Sequence, residues 1–385
     1  MNRRLSLLLA GPVIAGTTLA GCTSNSPSGA GNGELTVTST ATECQVSANS
    51  APSGTVVFKV KNTGNEVTEF YLLASDGLRI VGEIENITPQ LTRDLVVQVP
   101  PGKYYTSCKP GMVGNGIQAA FTVTDSGKKL EATGDDKALI TTATGLYASY
   151  VKDQTDKLLS GTESFVKAYK AGDFDKARAL YAPTRIYWER IETVAESFGD
   201  LDPSMDAREA DLEPGQKWTG WHKIEKDLWP PKTGYTALTA AERNSVADQL
   251  LKDTRTLHSR TRTQTYTVDG MGNGSKGLLD EVATGKVTGE EETWSHTDLW
   301  DFQGNVDGAK VAFENLRPIL TKKDPALETS VATKFTALQK VLDKHRKGDG
   351  FKLYTELSKT EIKELSDAVN ALSEPLSKVT AAVLK

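Results

Sequence analysis

Residues 117–172 read IQAAFTVTD, then SGKKLEATGDDKAL, then ITTATGLYASYVKDQTDKLLSGTESFVKAYKAG. The first piece alternates apolar and polar residues with period two, as a half-buried strand does. The last piece repeats apolar residues at spacings of three and four, as a helix face does. The charged piece between them is a link. The chain therefore changes architecture here, and each side can be read outward from it.

Upstream, from Glu34, ELTVTST, TVVFKVKN, EVTEFYLLAS, DLVVQVP and GKYYTSC are short, rich in Val, Thr, Phe and Tyr, and separated by Gly, Pro or Asn. With IQAAFTVTD they make about seven strands in about 90 residues, the pattern of a small antiparallel β-sandwich. Downstream, DFDKARALYAPTRIYWERIETVAESFG, TAAERNSVADQLLKDTRTLHSRTRTQT, residues 324–347 and EIKELSDAVNALSEPLSKVTAAVLK keep the helical period. Pro183 is expected to open a helix at its first turn. The fold class is multidomain, a β-sandwich at 34–126, a linker at 127–140 and an all-α bundle of seven or eight helices at 141–385.

The N-terminus, MNRRLSLLLAGPVIAGTTLAGC, is a charged start followed by an apolar run, a secretory layout. It ends in Leu19-Ala20-Gly21-Cys22, which reads as a lipobox with Cys22 the acylated first residue of the mature chain. Residues 1–21 are then a signal peptide, and 22–33, rich in Ser, Gly and Asn, a flexible tether. Removing 1–21 takes away Arg3 and Arg4 and no acid, so the net charge moves from −5 to −7. The acyl chains would anchor the protein outside the cytoplasm, on the membrane surface. An acidic chain is a poor nucleic-acid binder. Three Cys in 385 residues are too few for a disulfide-dense scaffold.

The helical half carries the sharpest chemistry. In GWHKIEKDLW, His222 and Glu225 are three apart and share a helix face. Upstream lie Glu189 and Glu192, again three apart, then Asp202, Asp206 and Glu209. Downstream, Asp298 and Asp301 are framed by Trp300 and Phe302. Acids among aromatics are costly unless paired or coordinated. His258 and His345, on Lys/Arg-rich helices, read as solvated, and His296 as a surface or supporting residue. A zincin needs HExxH. Here Lys223 follows His222 and Lys226 stands four on, so the residues read as a binding protein and not an enzyme.

TRIYWERIE, DLDPSMDARE, GWHKIE and TGEEETWSHTDLWDFQGNVDG closely resemble the EfeO family, extracytoplasmic components of bacterial EfeUOB iron-uptake systems. The C-terminal half of that family is imelysin-like (peptidase M75), marked by GxHxxE, here Gly220, His222 and Glu225. Its N-terminal half is cupredoxin-like. The resemblance implies capture of iron, ferrous or ferric, in the bundle cleft. It also implies delivery to an EfeU-like membrane permease beside an EfeB-like haem peroxidase. By motif it maps Glu189, Glu192, Asp206, His222, Glu225 and Asp298 or Asp301 to the metal-binding cleft. Glu192 and Asp206 are the ones expected behind the ligands, orienting His222. Carboxylates with one imidazole form a hard site, suited to iron more than copper(I), with copper or zinc as other occupants.

Residues 34–126 hold no His, which excludes a blue-copper centre. The resemblance implies instead a second metal site from Cys44, Cys108 and a Glu, with Glu69 and Met112 as candidate ligands. The alternative is a Cys44–Cys108 disulfide, since Cys22 is taken by lipid and both others are exported. Glu83 and Glu85 alternate with Ile84 and are expected on the solvent face. Two rival functions stand beside iron capture: a metal-dependent M75-type peptidase, and a lipoprotein binding an anionic polysaccharide through a bridging metal.

Overall fold

A computed structural model describes residues 34–77, 80–112, 114, 116–127, 134–212 and 215–385. The signal peptide, Cys22 and the tether lie outside these residues.

Among the described residues the N-terminal part contains nine strands: β1 Glu34–Ser39, β2 Cys44–Val46, β3 Ser50–Pro52, β4 Gly54–Asn62, β5 Thr68–Leu73, β6 Ile80–Ile87, β7 Thr92–Val99, β8 Gly102–Cys108 and β9 Ile117–Thr124. They form two sheets, β2-β1-β4-β7 and β3-β9-β8-β5-β6. Alternation decides which side chains meet between the sheets: Val56, Phe58 and Val60 of β4 against Phe70, Leu72, Phe121 and Val123. Phe58 packs on Phe70 and Phe121 at ring-centre distances of 5.1 and 5.5 Å. Two pairings, β1 with β4 and β3 with β9, are parallel, so the sandwich is not purely antiparallel as expected. Parallel pairing needs a crossover between sheets, which period-two alternation does not reveal.

The helical part begins earlier than expected. Helix α1 is one 37-residue helix, Gly134–Lys170. It is followed by α2 Phe174–Glu189, α3 Glu192–Ala195, α4 Leu201–Met205, α5 Trp221–Leu228, α6 Ala240–Thr261, α7 Val268–Thr284, α8 Asp298–Lys323 and α9 Pro325–Asp343. A two-residue hairpin, β10 Arg346–Lys347 with β11 Gly350–Phe351, precedes α10 Lys359–Leu376 and α11 Val379–Val383. Pro183 lies inside α2 and does not open it. An interior proline costs roughly 3 kcal/mol; burial of Tyr181, Ile186 and Trp188 beside it holds the helix continuous. Helix α2 lies against α1 and α8, and the core around them holds Tyr147, Phe165, Tyr169, Trp188, Trp221, Phe302 and Phe313.

Helix α7 joins the two parts. It packs against β6 and β7, the end strands of the two sheets. Asp269 Oδ2 accepts the Gln98 backbone N–H at 2.9 Å, and Asn273 Nδ2 donates to the Val96 carbonyl at 2.8 Å. The residues at i and i+4 of a helix thus satisfy groups two residues apart on a free strand edge. Asp280 pairs with Arg93 of β7 at 2.5 Å and accepts from Ser373 of α10 at 2.7 Å.

This docking corrects the expectation for Glu83 and Glu85. They are half-buried on β6, the strand that packs against α7, not on open surface. Burial, with Glu69 and Asp280 nearby, pushes the Glu85 carboxyl up to about 8.

Candidate metal centre

Helix α5 is placed by Gly220. Its φ is 88°, and a Cβ there would stand 2.1 Å from the Met205 carbonyl oxygen. Only glycine accepts both the left-handed backbone and the close approach of α4. The Thr219 hydroxyl donates to the Ser204 carbonyl at 2.7 Å and fixes the same junction. The turn directs His222 and Glu225, both fully buried, into the bundle.

There His222 is held from both sides. Its Nδ1 is 3.2 Å from Glu225 Oε2. Glu225 Oε1 accepts the backbone N–H groups of Trp294 and Ser295 at 2.9 and 2.7 Å. On the other side, His222 Nε2 lies 3.4 Å from both Asp206 Oδ1 and Glu291 Oε1 and makes no hydrogen bond among the described residues. Asp206, His222 and Glu291 thus offer three donor atoms within 4.8 Å of one another. A cation about 2.1 Å from each donor puts neighbouring donors roughly 3.0–3.4 Å apart, close to these separations.

Eight acidic side chains are enclosed around this point: Glu189, Glu192, Asp206, Glu225, Glu291, Glu292, Asp298 and Asp301. They surround two fixed cations. The Arg185 guanidinium, fully buried, bonds Asp206, Glu189 at 2.7 Å, Glu291 at 2.6 Å, Glu292 at 2.8 Å and Asp301 at 3.1 Å. Lys286 Nζ, equally buried, bonds Glu189 at 2.7 Å and Glu192 at 2.9 Å. The Glu292 carboxylate also accepts from the Tyr181 and Ser295 hydroxyls, and Asp298 Oδ1 accepts the Glu292 N–H at 3.1 Å.

The charges sort accordingly. Burial opposes ionisation of Asp206, but Arg185 and His222 outweigh it and hold the carboxyl well below its usual range. The same balance, through Lys286, His222 and Arg185, keeps Glu291 ionised. Burial and Arg185 push the His222 pKa down, but Asp206, Glu225 and Glu291 outweigh them and raise it well above the ordinary value. Burial pushes Glu189 and Glu192 to about 8 and Asp298 to about 7, and lifts Glu292 and Asp301 well above the carboxylate range. A metal taking Nε2 must displace a proton. A surface pocket of about 430 Å³ is lined by Arg208, Glu209, Asp211, Glu290 and Trp294. Arg208 Nη1 stands 3.6 Å from Glu291 Oε2.

The structure gathers the whole expected set but redistributes it. Glu225, not Asp206 or Glu192, sits behind His222 as its orienting carboxylate, and Asp206 is on the open side of the ring. Glu189 and Glu192 face Lys286, and Asp301 faces Arg185. Asp298 holds the Glu292 backbone. Sequence reading missed Glu291, Glu292, Arg185 and Lys286. Glu291 and Glu292 stood in TGEEETWSH, a run that carried the resemblance without either residue being singled out. Arg185 carried a signal, a cation on a helix face otherwise of Tyr181, Trp188 and Glu189. His258 is half-exposed and pairs with Asp156 at 2.7 Å. His345, expected in solvent, is buried at 1 % exposure, because the β10–β11 hairpin follows it where a longer helix was expected.

Of the two readings left open for Cys44 and Cys108, the structure has the disulfide, so neither sulfur is a thiolate ligand. Glu69, buried on β5, accepts the Tyr71 hydroxyl at 2.5 Å and lies 3.9 Å from Lys109 Nζ. Met112 is exposed at a 3-10 turn, Pro110–Met112.

A GxHxxE helix in a bundle behind a β-sandwich is the build of a two-domain imelysin-type protein. The imelysin (peptidase M75) family model matches residues 143–379. The chain is 48 % identical over 250 residues to an Efem/EfeO family lipoprotein of Staphylococcus haemolyticus, covering 64 % of this chain and 85 % of the other. It is 36 % identical over 340 residues, 88 % of each chain, to the iron uptake system component EfeO of Yersinia pestis. Among solved structures it shares its fold with an iron-regulated protein A precursor from Parabacteroides distasonis. The TM-score is 0.51 at 16 % identity, covering 67 % of this chain and 97 % of that one. The chain belongs to the imelysin family and, within it, to the EfeO-type proteins.

Proposed function

We propose that the mature chain is a lipid-anchored, extracytoplasmic iron-binding component of an uptake system, passing its iron to a membrane permease. One observation carries the reading: a buried imidazole and two carboxylates, Asp206, His222 and Glu291, converge inside a buried enclosure of acidic side chains. Oxygen donors with one nitrogen suit iron. The name of the Yersinia pestis relative supports uptake, and the lipobox sequence supports the location. No helix among the described residues is long and apolar enough to cross a membrane; the lipobox assigns anchorage to Cys22. A haem-peroxidase partner belongs to the same proposal.

The peptidase reading is less well supported. Glu225 orients His222 and accepts two backbone amides, an engagement that suits a positioning carboxylate better than a general base. The test is calorimetric titration of the mature chain with ferrous iron under argon. His222→Ala and Glu291→Gln are expected to weaken binding at least about 10-fold, since even groups behind the ligands are worth about 10–100-fold. Lys223→Ala, which stacks over Trp218 outside the pocket, should bind normally. Equal affinity in all variants with unchanged circular dichroism contradicts the proposal. Chelator-sensitive cleavage of casein would favour the peptidase.

A further inference from the structure

Beside the His222 constellation the pocket holds a second group of three carboxylates, Glu189, Glu192 and Asp206, whose oxygens also lie within 4.8 Å of one another. A cation already sits against it. Lys286 Nζ is 2.7 Å from Glu189 Oε2 and 2.9 Å from Glu192 Oε2, with Glu281 and Glu291 oxygens at 3.9 Å. Asn305 Nδ2 donates to the same two glutamate oxygens at 2.8 and 2.7 Å. Glu189 Oε2 and Glu192 Oε2 therefore converge on one point, where the ammonium sits, and Asp206 lies beside them. Asp206 is shared with the other group, where the fully buried His222 Nε2 points at it without a hydrogen bond among the described residues.

We infer that Lys286 is a built-in cation that occupies the Glu189 and Glu192 oxygens of a second cation subsite, whose third carboxylate is Asp206, and so limits the bundle to one metal ion. The inference rests on the iron-binding reading for the neighbouring subsite. A lysine suits the task better than an arginine, being a compact point charge of nearly ionic size. Arg185 cannot play this part, because its fork spreads over five acids on a rigid helix. Lys286 instead enters on a 3-10 turn, Lys286–Thr288, just after the C-terminus of α7. That helix is the one docked on the β-sandwich. Removing the ammonium leaves Glu192 with Asn305, and Glu189 with Asn305 and Arg185. Buried carboxylates that lose a counter-charge take up either protons or a cation, and the three oxygens converge for the latter.

Lys286→Met keeps the length of the side chain and removes its charge. Equilibrium dialysis of the mature chain against ferrous iron under argon, with iron counted per protein, reads the result. The variant is expected to hold one equivalent more than the parent, and Lys286→Arg to hold the parent's number. Adding Glu192→Gln to Lys286→Met should abolish the gain. Lys286→Gln, which keeps a donor for the glutamates, serves the same comparison if the methionine variant misfolds. An unchanged count in the folded charge-neutral variant overturns the inference. The iron-binding reading itself is judged separately, on whether the parent binds any iron.

Discussion

At the residue scale, His222 shows how a weak motif becomes a site. Glu225 fixes one ring nitrogen and is itself fixed by two amides, so the other nitrogen has one direction open. Glu225→Gln keeps an acceptor for the amides but removes the charge that orients the ring. It should weaken iron binding by about 10-fold and leave the fold intact. Binding equal to the parent would mean that the backbone alone sets the ring. His345 offers a different test. Both its nitrogens lack hydrogen-bond partners among the described residues, and Glu361 is 3.7 Å away. Burial lowers its pKa, with Glu361 opposing. The unfolded chain, near about 6.5, therefore takes the proton more readily than the folded one. The resulting stability is complete above that value and is lost as pH falls through it toward the lower folded pKa. Between pH 7.5 and 5.5 the Tm of the parent should fall more than that of His345→Gln; parallel curves would contradict this.

At the scale of elements, the turn into α5 decides whether the site forms. Gly220→Ala meets the Met205 carbonyl and a φ of 88°. Left-handed backbone in a non-glycine residue costs about 1–3 kcal/mol, and the clash adds to it. Gly199→Ala, with φ 65° and open space around its Cβ, incurs the backbone cost alone. Urea unfolding should rank Gly220→Ala clearly below Gly199→Ala; equal losses would remove the close approach from the account. The same elements show what the sequence made legible. Period two found the β-sandwich and period 3.6 the bundle, because each depends on local alternation. The parallel pairs β1–β4 and β3–β9, the uninterrupted α2 across Pro183 and the docking of α7 depend on contacts between distant segments. The candidate site followed the same division. His222 and Glu225 are adjacent on one helix and were readable together, whereas Glu291 and Lys286 join them only after folding.

Across the whole molecule, the two domains are linked at Asp280, which meets Arg93 of the sandwich and Ser373 of the bundle. Asp280→Ala removes the partner of a half-buried arginine. Breaking a buried pair costs about 3–5 kcal/mol, and the partial exposure of Arg93 puts the expected loss near the lower end, about 3 kcal/mol. Differential scanning calorimetry should show the transition at lower temperature, and an unchanged Tm would mean that the interface does not depend on this pair. The disulfide closes a span of 64 residues in the sandwich, for which chain entropy gives about 4 kcal/mol. Because it lies outside the bundle, reduction should lower stability while iron binding at His222 persists.

The central claim is that iron binds inside the bundle at Asp206, His222 and Glu291. Its most direct test is a crystal structure of the iron-loaded mature chain, with diffraction collected at the iron absorption edge. The account predicts an anomalous peak about 2.0–2.3 Å from His222 Nε2 and from oxygens of Asp206 and Glu291. A peak in the β-sandwich, or one in the bundle that His222 does not touch, would contradict it.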